Sequence, residues 1–444
     1  MRTAPLKILA ASTSRGLLAL FVVYGGLAQA QRFSTPVALA TGDLAGYRVS
    51  SAIDSNADAI ALWSGEYSQR LGVAGAWSPK QSFGGTGSPT QAVRMTGAGA
   101  ATAVWVDSAR NIMTADLPLG GAWSSPTLLA TPPGAPAPLF VMDSHGDAGV
   151  VVATSDGDIL AYRRVAGAAF WGPEEVIAVA PSGSHLVLSG AAMGEAGDFA
   201  VTWQTYEVRC SRYCFDVNYI VHVSREPLAG TAWDDSGPLT AGVNRPGYAA
   251  LPAVDIRGRA AVIYLAPFGP IVSSQTQAAY GGLWSNPATV FATTSGGQLA
   301  GINIANSGGM TVAVLDFSPT GTNVIAIDGN VATNTWHRAT TLSNLSGGDS
   351  SGVVALVSFG GSTNGAAVAE WGDGDGTIRA ATRRPVSNAW GAPQTINGPV
   401  ACGSLGPTCS GPLSASINNA GHAFVIFATS DPSLTTFAIW VAAQ

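Results

Sequence analysis

Charge is scarce in this chain. Of 444 residues, only 11% are Asp, Glu, Lys or Arg, against about 25% in ordinary globular proteins, and no stretch gathers Lys or Arg into a cluster. Twenty-one basic and twenty-seven acidic side chains leave a net charge of −6. Nucleic acid, whose binding rests on neutralising phosphates with basic surface, is therefore set aside as a partner. Cysteine is scarce, with four in the chain, and five histidines (His145, His185, His222, His337, His422) stand far apart. Beyond residue 30 no apolar run reaches the ~18 residues that mark a spanning helix, so no membrane span is expected there. Common catalytic signatures are missing too: no HExxH, no GxSxG, no Walker loop and no GxGxxG behind a strand. From these patterns no catalytic residue, metal set or cofactor is implied.

The first thirty residues contrast with the rest. Arg2, Lys7 and Arg15 precede the apolar stretch Gly16 to Leu27, which ends in Ala28-Gln29-Ala30 before Gln31. Basic start, apolar centre and small-residue cleavage site read as a secretory signal peptide over residues 1–30. The run is shorter than the ~20 residues of a membrane anchor. Its removal leaves 18 basic against 27 acidic side chains, a net charge of −9, on an exported, periplasmic or extracellular chain with residues 31–444 as a single domain. The cysteines suit an oxidising compartment. Four allow three pairings, of which local pairing, Cys210 with Cys214 and Cys402 with Cys409, is the simplest. Both segments (RCSRYCF and ACGSLGPTCSG) read as loops, and neither has the nearby His that a zinc set needs.

Glycine and tryptophan are plentiful, and they recur. One column holds Trp77, Trp123, Trp171, Trp233, Trp284, Trp336 and Trp390, at separations of 46, 48, 62, 51, 52 and 54 residues. Around it the chain reads WSP, WSSP, WGP, WSNP and WGAP. A second column holds Trp63, Trp105, Val152, Trp203, Tyr264, Leu315, Trp371 and Phe427. Each of its members lies on an alternating run such as Ala101-Thr102-Ala103-Val104-Trp105, behind a polar turn such as Asp143-Ser144-His145-Gly146 or Asn418-Asn419-Ala420-Gly421. Alternation of β-branched and aromatic residues between Gly, Asn and Asp is the strand signal, and about four strands fit each repeat. Four-stranded units of ~40 to 60 residues with a Trp signature are propeller blades. The last unit stops without its WSxP strand, and Phe33 to Ala40 supplies a matching one at the other end. The expectation is an all-β, eight-bladed β-propeller of antiparallel four-stranded blades, closed by its N-terminal strand. A seven-bladed ring with one degenerate unit is the alternative.

If WSxP marks the outermost strand, its connection to the next blade and the turn between second and third strands share one face. Both cysteine pairs fall there, one within an unusually long connection from Gln204 to Asn218. Long connections in compact folds commonly serve function. Tyr206, Glu207, Arg209, Arg212, Tyr213 and Asp216 lie in it, with Glu66, Tyr67, Arg110, Arg245 and Tyr248 at related repeat positions. Aromatic rings beside Arg and carboxylates suit a sugar or another polar, planar-faced ligand. Asp156-Gly157-Asp158 and Asp373-Gly374-Asp375-Gly376 carry oxygens that calcium could use, but Asp-Gly is also a strong hairpin-turn signal.

The repeats resemble secreted bacterial β-propellers of the sialidase-like kind, in which units of Gly-x-Ala-x-Val-Trp and Trp-Ser-x-Pro recur. For sialidases proper, the resemblance implies an arginine triad holding a carboxylate and a tyrosine nucleophile with an acidic partner. Tyr47-Arg48-Val49-Ser50 is similar to the first-arginine motif, and Arg94 holds a comparable place in the next repeat. The Asp-box Ser-x-Asp-x-Gly-x-x-Trp is absent, and eight units exceed the six blades of that family, so the resemblance carries the fold alone. Two functions stand as expectations. One is a non-catalytic exported propeller, monomeric, that binds a glycan or a cell-surface protein through the cysteine-stapled face. The alternative is a carbohydrate-active enzyme, a sialidase-like glycosidase or a polysaccharide lyase, that uses Arg48 and Arg94 on acidic glycans.

Overall fold

In the computed structural model, the described residues are 32–444 except 43–48, 64, 83–90, 135–136, 211–213, 229–231, 241–249, 266–270, 320, 346–356, 373–376, 386–388, 398–409 and 431–436. Contacts divide the chain into Met1–Phe33 and Ser34–Gln444, and only the second is described below.

The alternating runs form strands, and the strands form eight antiparallel four-stranded sheets. Each sheet is a blade whose first strand faces the centre. Those inner strands are Val49–Ile53, Gln91–Met95, Leu139–Met142, Ser184–Met193, Leu251–Val254, Gly297–Ile304, Val357–Gly361 and Ser410–Ile417. They neighbour one another in chain order, and the eighth returns against the first. The molecule is therefore an eight-bladed β-propeller, and the seven-bladed alternative falls.

Middle strands of a blade are covered on both faces, so they read as continuous apolar runs. Ala59–Trp63, Ala101–Val106 and Ala367–Gly372 are buried at every residue. The core lies between blades: Leu62 and Tyr67 of blade 1 pack with Val93 and Trp105 of blade 2, and Phe424 and Ile426 of blade 8 pack with Ala61 and Trp63 of blade 1. The WSxP tryptophans bridge neighbours as well. Trp123 meets Tyr67 edge-on at 5.6 Å and Trp77 meets Phe424 at 5.2 Å, while Trp233 of blade 4 donates from Nε1 to Glu175 of blade 3 at 2.7 Å. Large rings in such contacts contribute buried area at little entropic cost.

Blade 8 closes as the sequence suggests. Its order runs from Ser410–Ile417 through Ala423–Ser430 and Phe437–Ala443 to Val37–Gly42 on the outside. Val37 faces Val441 and Gly42 faces Phe437, while Ser34 N–H donates to the Ala443 carbonyl at 2.7 Å. The strand starts four residues later than Phe33, because pairing begins at Val37 behind Pro36.

One face carries the turns between first and second strands. An Asx residue caps each of several: Asp143 Oδ1 accepts the N–H of His145, Gly146 and Asp147, and Asn418 Oδ1 accepts those of Ala420 and His422. The opposite face carries the second-to-third turns and the connections between blades. Asp156-Gly157-Asp158 is one of these turns, with Gly157 at φ +91° and Asp158 N–H donating to Thr154 Oγ1. No group of three His, Cys, Asp or Glu side chains suited to a metal occurs among the described residues, and none of their helices is long and apolar enough to cross a membrane.

Candidate functional site

Blade 4 departs from its neighbours. Its second strand, Phe199–Cys210, has 12 residues, where blades 2, 3 and 5 have 6. The third strand, Cys214–Glu226, has 13. Six additional residues at ~3.3 Å each give about 20 Å of extra ribbon. Gln204 to Asn218 is thus largely a β-hairpin, not the loop its polar residues suggest. Cys210 and Cys214 form a disulfide and face each other across the ladder. Each strand already alternates (Gln-Thr-Tyr-Glu-Val-Arg, then Phe-Asp-Val-Asn-Tyr-Ile), and a cysteine on either side of a three-residue tip fixes the register.

A bulge opposite Tyr206, where Asn218 (φ +57°) and Tyr219 face this one residue, shifts the pairing between Thr205 with Ile220 and Glu207 with Val217. Tyr206 consequently stacks on Tyr219 at 5.2 Å and on His185 of the inner strand at 5.2 Å. The ladder runs from buried Tyr219 through half-buried Tyr206 to exposed His185. Below it Trp203 stacks on His222 at 5.5 Å, and His222 Nε2 lies 3.0 Å from Thr205 Oγ1. Beyond it Arg209 Nη2 donates to Glu207 Oε2 at 3.1 Å. Asn218 and Arg209, both hydrogen-bonded to Glu207, hold its carboxyl below the usual glutamate range. The hairpin therefore carries a ladder of aromatic rings and, at alternate positions of the same strand, a carboxylate paired with a guanidinium. His185 was not nominated from sequence. Its position directly across from Tyr206 becomes visible only once the register is known.

The other nominated residues are distributed differently. Glu66 accepts from Trp63 Nε1 at 3.0 Å and pairs with Lys80 at 2.9 Å. Tyr67 is 6% exposed and its hydroxyl donates to Gln81 Oε1; burial raises its pKa. Both belong to blade 1, and blades 2 and 3 separate them from the hairpin. Arg48, Arg212, Tyr213, Arg245, Tyr248, Cys402 and Cys409 lie outside the described residues, as does Asp373 to Gly376.

Arg94 lies on the central channel. Together with the ends of the inner strands of blades 3 to 6, it lines an open pocket of about 210 Å3. The lining residues, among them Met142, Met193, Val254 and Ile304, stand last or nearly last in their strands. That places the pocket beside the first-to-second turns, on the face opposite the stapled hairpin. Arg94 is the one charged residue of the described lining. It is part-buried, and loss of hydration lowers its pKa.

No protein-family model matches this chain, and neither does any curated protein. Solved structures do. The BP39L lectin of Burkholderia pseudomallei aligns over 82% of this chain and 100% of its own, at 14% identity and a TM-score of 0.50. A Dyadobacter fermentans protein of unknown function covers 93% of this chain and 98% of its own, at 10% identity and a TM-score of 0.44. The leech intramolecular trans-sialidase covers 93% and 92%, at 8% identity and a TM-score of 0.42. The likeness is one of fold.

Proposed function

We propose that this protein is an exported, non-catalytic propeller that binds a glycan through the disulfide-stapled hairpin of blade 4. The observation that carries the reading is the ladder of His185, Tyr206 and Tyr219, on a ribbon longer than the blade needs, with the Glu207–Arg209 pair at alternate positions of the same strand. Sugar rings pack their C–H faces on aromatic rings, and a carboxylate and a guanidinium in fixed positions accept from and donate to their hydroxyls. A lectin shares the fold, which makes sugar recognition a task this architecture performs. Arg212 and Tyr213, between the two cysteines in sequence, and Arg245 and Tyr248, further along the chain, lie outside the described residues and are assigned to the same site on their place in the sequence alone. A cell-surface protein is the other partner class this surface suits.

The test is a glycan array probed with the mature protein and with a variant carrying Tyr206→Ala, Arg209→Ala, Arg212→Ala and Tyr213→Ala. Loss of a stacking ring together with a charged anchor weakens binding by ten- to a hundred-fold or more on the ~2 kcal/mol scale of such contacts. Binding that survives all four substitutions would remove the hairpin from the site.

Arg94 favours a second reading, a glycosidase or polysaccharide lyase acting on acidic glycans with Arg48 and Arg94 holding the acid. Release of reducing sugar or of unsaturated uronate, abolished in an Arg48→Ala, Arg94→Ala variant, is its signature. Unchanged release in that variant would end it.

A further inference from the structure

In blades 1 to 5 the turn from the third strand to the outer WSxP strand is built without a single charge. These turns read LGVAGA from Leu71, PLGGA from Pro118, VAGAAF from Val165, PLAGTA from Pro227 and AAYGGL from Ala278. Surface turns ordinarily draw on Asp, Asn and Ser beside Gly and Pro. Blades 6 and 7 follow that habit, with ATNT from Ala332 and RPVSNA from Arg384. The five uncharged turns instead show large apolar side chains to solvent. Leu71, Leu119, Phe170 and Leu283 are 73, 67, 83 and 95% exposed, and Leu228 is exposed as well. A Cβ added at Gly72, Gly120, Gly167 or Gly281 would meet nothing within 4 Å, so the tips stand out into open space. Their backbone closes on itself: Gly75 N–H donates to the Gly72 carbonyl, Gly121 to Pro118, Ala168 to Val165 and Gly282 to Ala279. Asp58 and Asp147, in first-to-second turns, accept the N–H of Gly72 and Ala166 and tie two tips down.

Strands of a blade alternate in direction, so these tips share the face of the first-to-second turns. As equivalent steps of one repeat they stand at one height along the rim. Exposed apolar patches of this kind mark protein or membrane contacts, and two observations separate those partners. A protein interface needs a matching surface and about one hydrogen bond per 100–200 Å2, whereas the tips are convex and offer almost no polar side chain. A bilayer moulds itself around projections, and it tolerates inserted backbone only where the polar groups are paired internally, as the turn hydrogen bonds of these tips achieve. Charge selects the kind of bilayer. The chain carries −6 and has no cluster of Lys or Arg, which is what attraction to anionic lipid requires. The charges of this face, such as Glu195 and Arg257, belong to first-to-second turns nearer the axis. We propose that the apolar rim of blades 1 to 5 docks on a lipid bilayer of neutral headgroups, with Leu71, Leu119, Phe170, Leu228 and Leu283 inserted side by side. The rim lies opposite the stapled hairpin and shares no residue with it, so lipid binding and glycan binding fail separately.

The experiment is flotation of the chain from residue 31 onward, free of the apolar stretch 16–27, with vesicles of phosphatidylcholine and with vesicles that also contain phosphatidylserine. It is repeated on a fourfold variant, Leu71→Ser, Leu119→Ser, Phe170→Ser and Leu283→Ser, on Leu283→Asp, and on Val208→Ser of the hairpin. The expected result is binding of the wild type to phosphatidylcholine, not strengthened by phosphatidylserine and weakened about tenfold or more in the fourfold variant. Val208→Ser should bind as the wild type does, and melting curves should show all variants folded, since each substituted side chain is exposed. If the fourfold variant fails to fold, Leu283→Asp decides the matter, because one carboxylate at a single tip should weaken flotation about tenfold. The proposal falls if the wild type floats with neither vesicle or only with the anionic one. It falls equally if the folded tip variants float like the wild type, or if Val208→Ser loses binding as they do. A wild type that is dimeric by sedimentation equilibrium, and monomeric in the fourfold variant, would assign the rim to a second copy and end the proposal as well.

Discussion

Replacing Glu370 with leucine stabilises the protein, by an amount that grows with pH. Glu370 lies in the second strand of blade 7, fully buried, and neither carboxyl oxygen has a hydrogen-bond partner. Its cross-strand neighbours are Ser358 and Ala380. Burial pushes its pKa well above the ordinary 4.5, so in the folded state it holds its proton where the unfolded chain has released it. Below the unfolded-state pKa the carboxyl contributes its full stability, and this is lost as pH rises toward the folded-state pKa. Linkage sets the rate of loss at about 1.4 kcal/mol per pH unit for one proton. The wild type should therefore fall behind Glu370→Leu by about 1.4 kcal/mol between pH 5 and pH 6, with little difference near pH 4. Leucine is close in volume and leaves no orphaned polar group. The assay is urea denaturation of both proteins, disulfide intact, at pH 4, 5 and 6. A wild-type-minus-variant difference that stays flat across these pH values would refute the reasoning, since the carboxyl would then titrate alike in folded and unfolded chains.

Asp143 offers a milder case of the same kind: burial and the neighbouring Asp147 raise its pKa to about 6. Asp143→Asn keeps the Oδ1 acceptor that Asn418 uses in the matching turn of blade 8, and it should gain up to about 3 kcal/mol over the wild type as pH rises from 4 to 6, read from melting curves across that range. Gly190 lies where an added Cβ would come within 2.6 Å of Pro252 and 2.9 Å of the Ala250 carbonyl, so Gly190→Ala should cost about 1–3 kcal/mol in urea midpoint and widen the channel wall between blades 4 and 5. Cys210→Ser with Cys214→Ser opens a loop of few residues, worth about 2 kcal/mol or less; hydrogen exchange should show protection lost in 206–219 and retained in blade 8. Deleting residues 34–42 strips the outer strand from Phe437–Ala443 and exposes an edge, so the shortened chain should elute as aggregates in size exclusion.

Much of the fold could be read from the chain because a propeller repeats one local pattern eight times. Trp105, Trp203 and Trp371 mark second strands, Trp123 and Trp233 mark the entry to outer strands, and alternation does the rest. What the chain conceals comes from contacts between units. Glu370 looks solvent-facing in Ala-Val-Ala-Glu-Trp, since alternation assigns it to the polar side of a sheet. In a blade both sides are covered by neighbours, and the polar position is sealed in. Arg94 is legible in the sequence as an inner-strand residue on the channel; what the sequence conceals is that no carboxylate of the described residues acts on it. The hairpin of blade 4 was misjudged for a different reason. Charged residues at Glu207, Arg209 and Arg212 suggest a loop, but a ribbon that leaves its sheet carries charge on its exposed side and keeps strand geometry.

The pairing of Val37–Gly42 with Phe437–Ala443 bears on how the molecule assembles. During synthesis the earliest strand appears hundreds of residues before its mate, so seven blades can stack while it waits unpaired. The final step joins the most distant parts of the polypeptide. Its entropic cost grows only logarithmically with the span, but contacts of such long range form slowly. Until they form, blade 8 presents an open flank to the solution, and that is when a chaperone would be most useful to this chain.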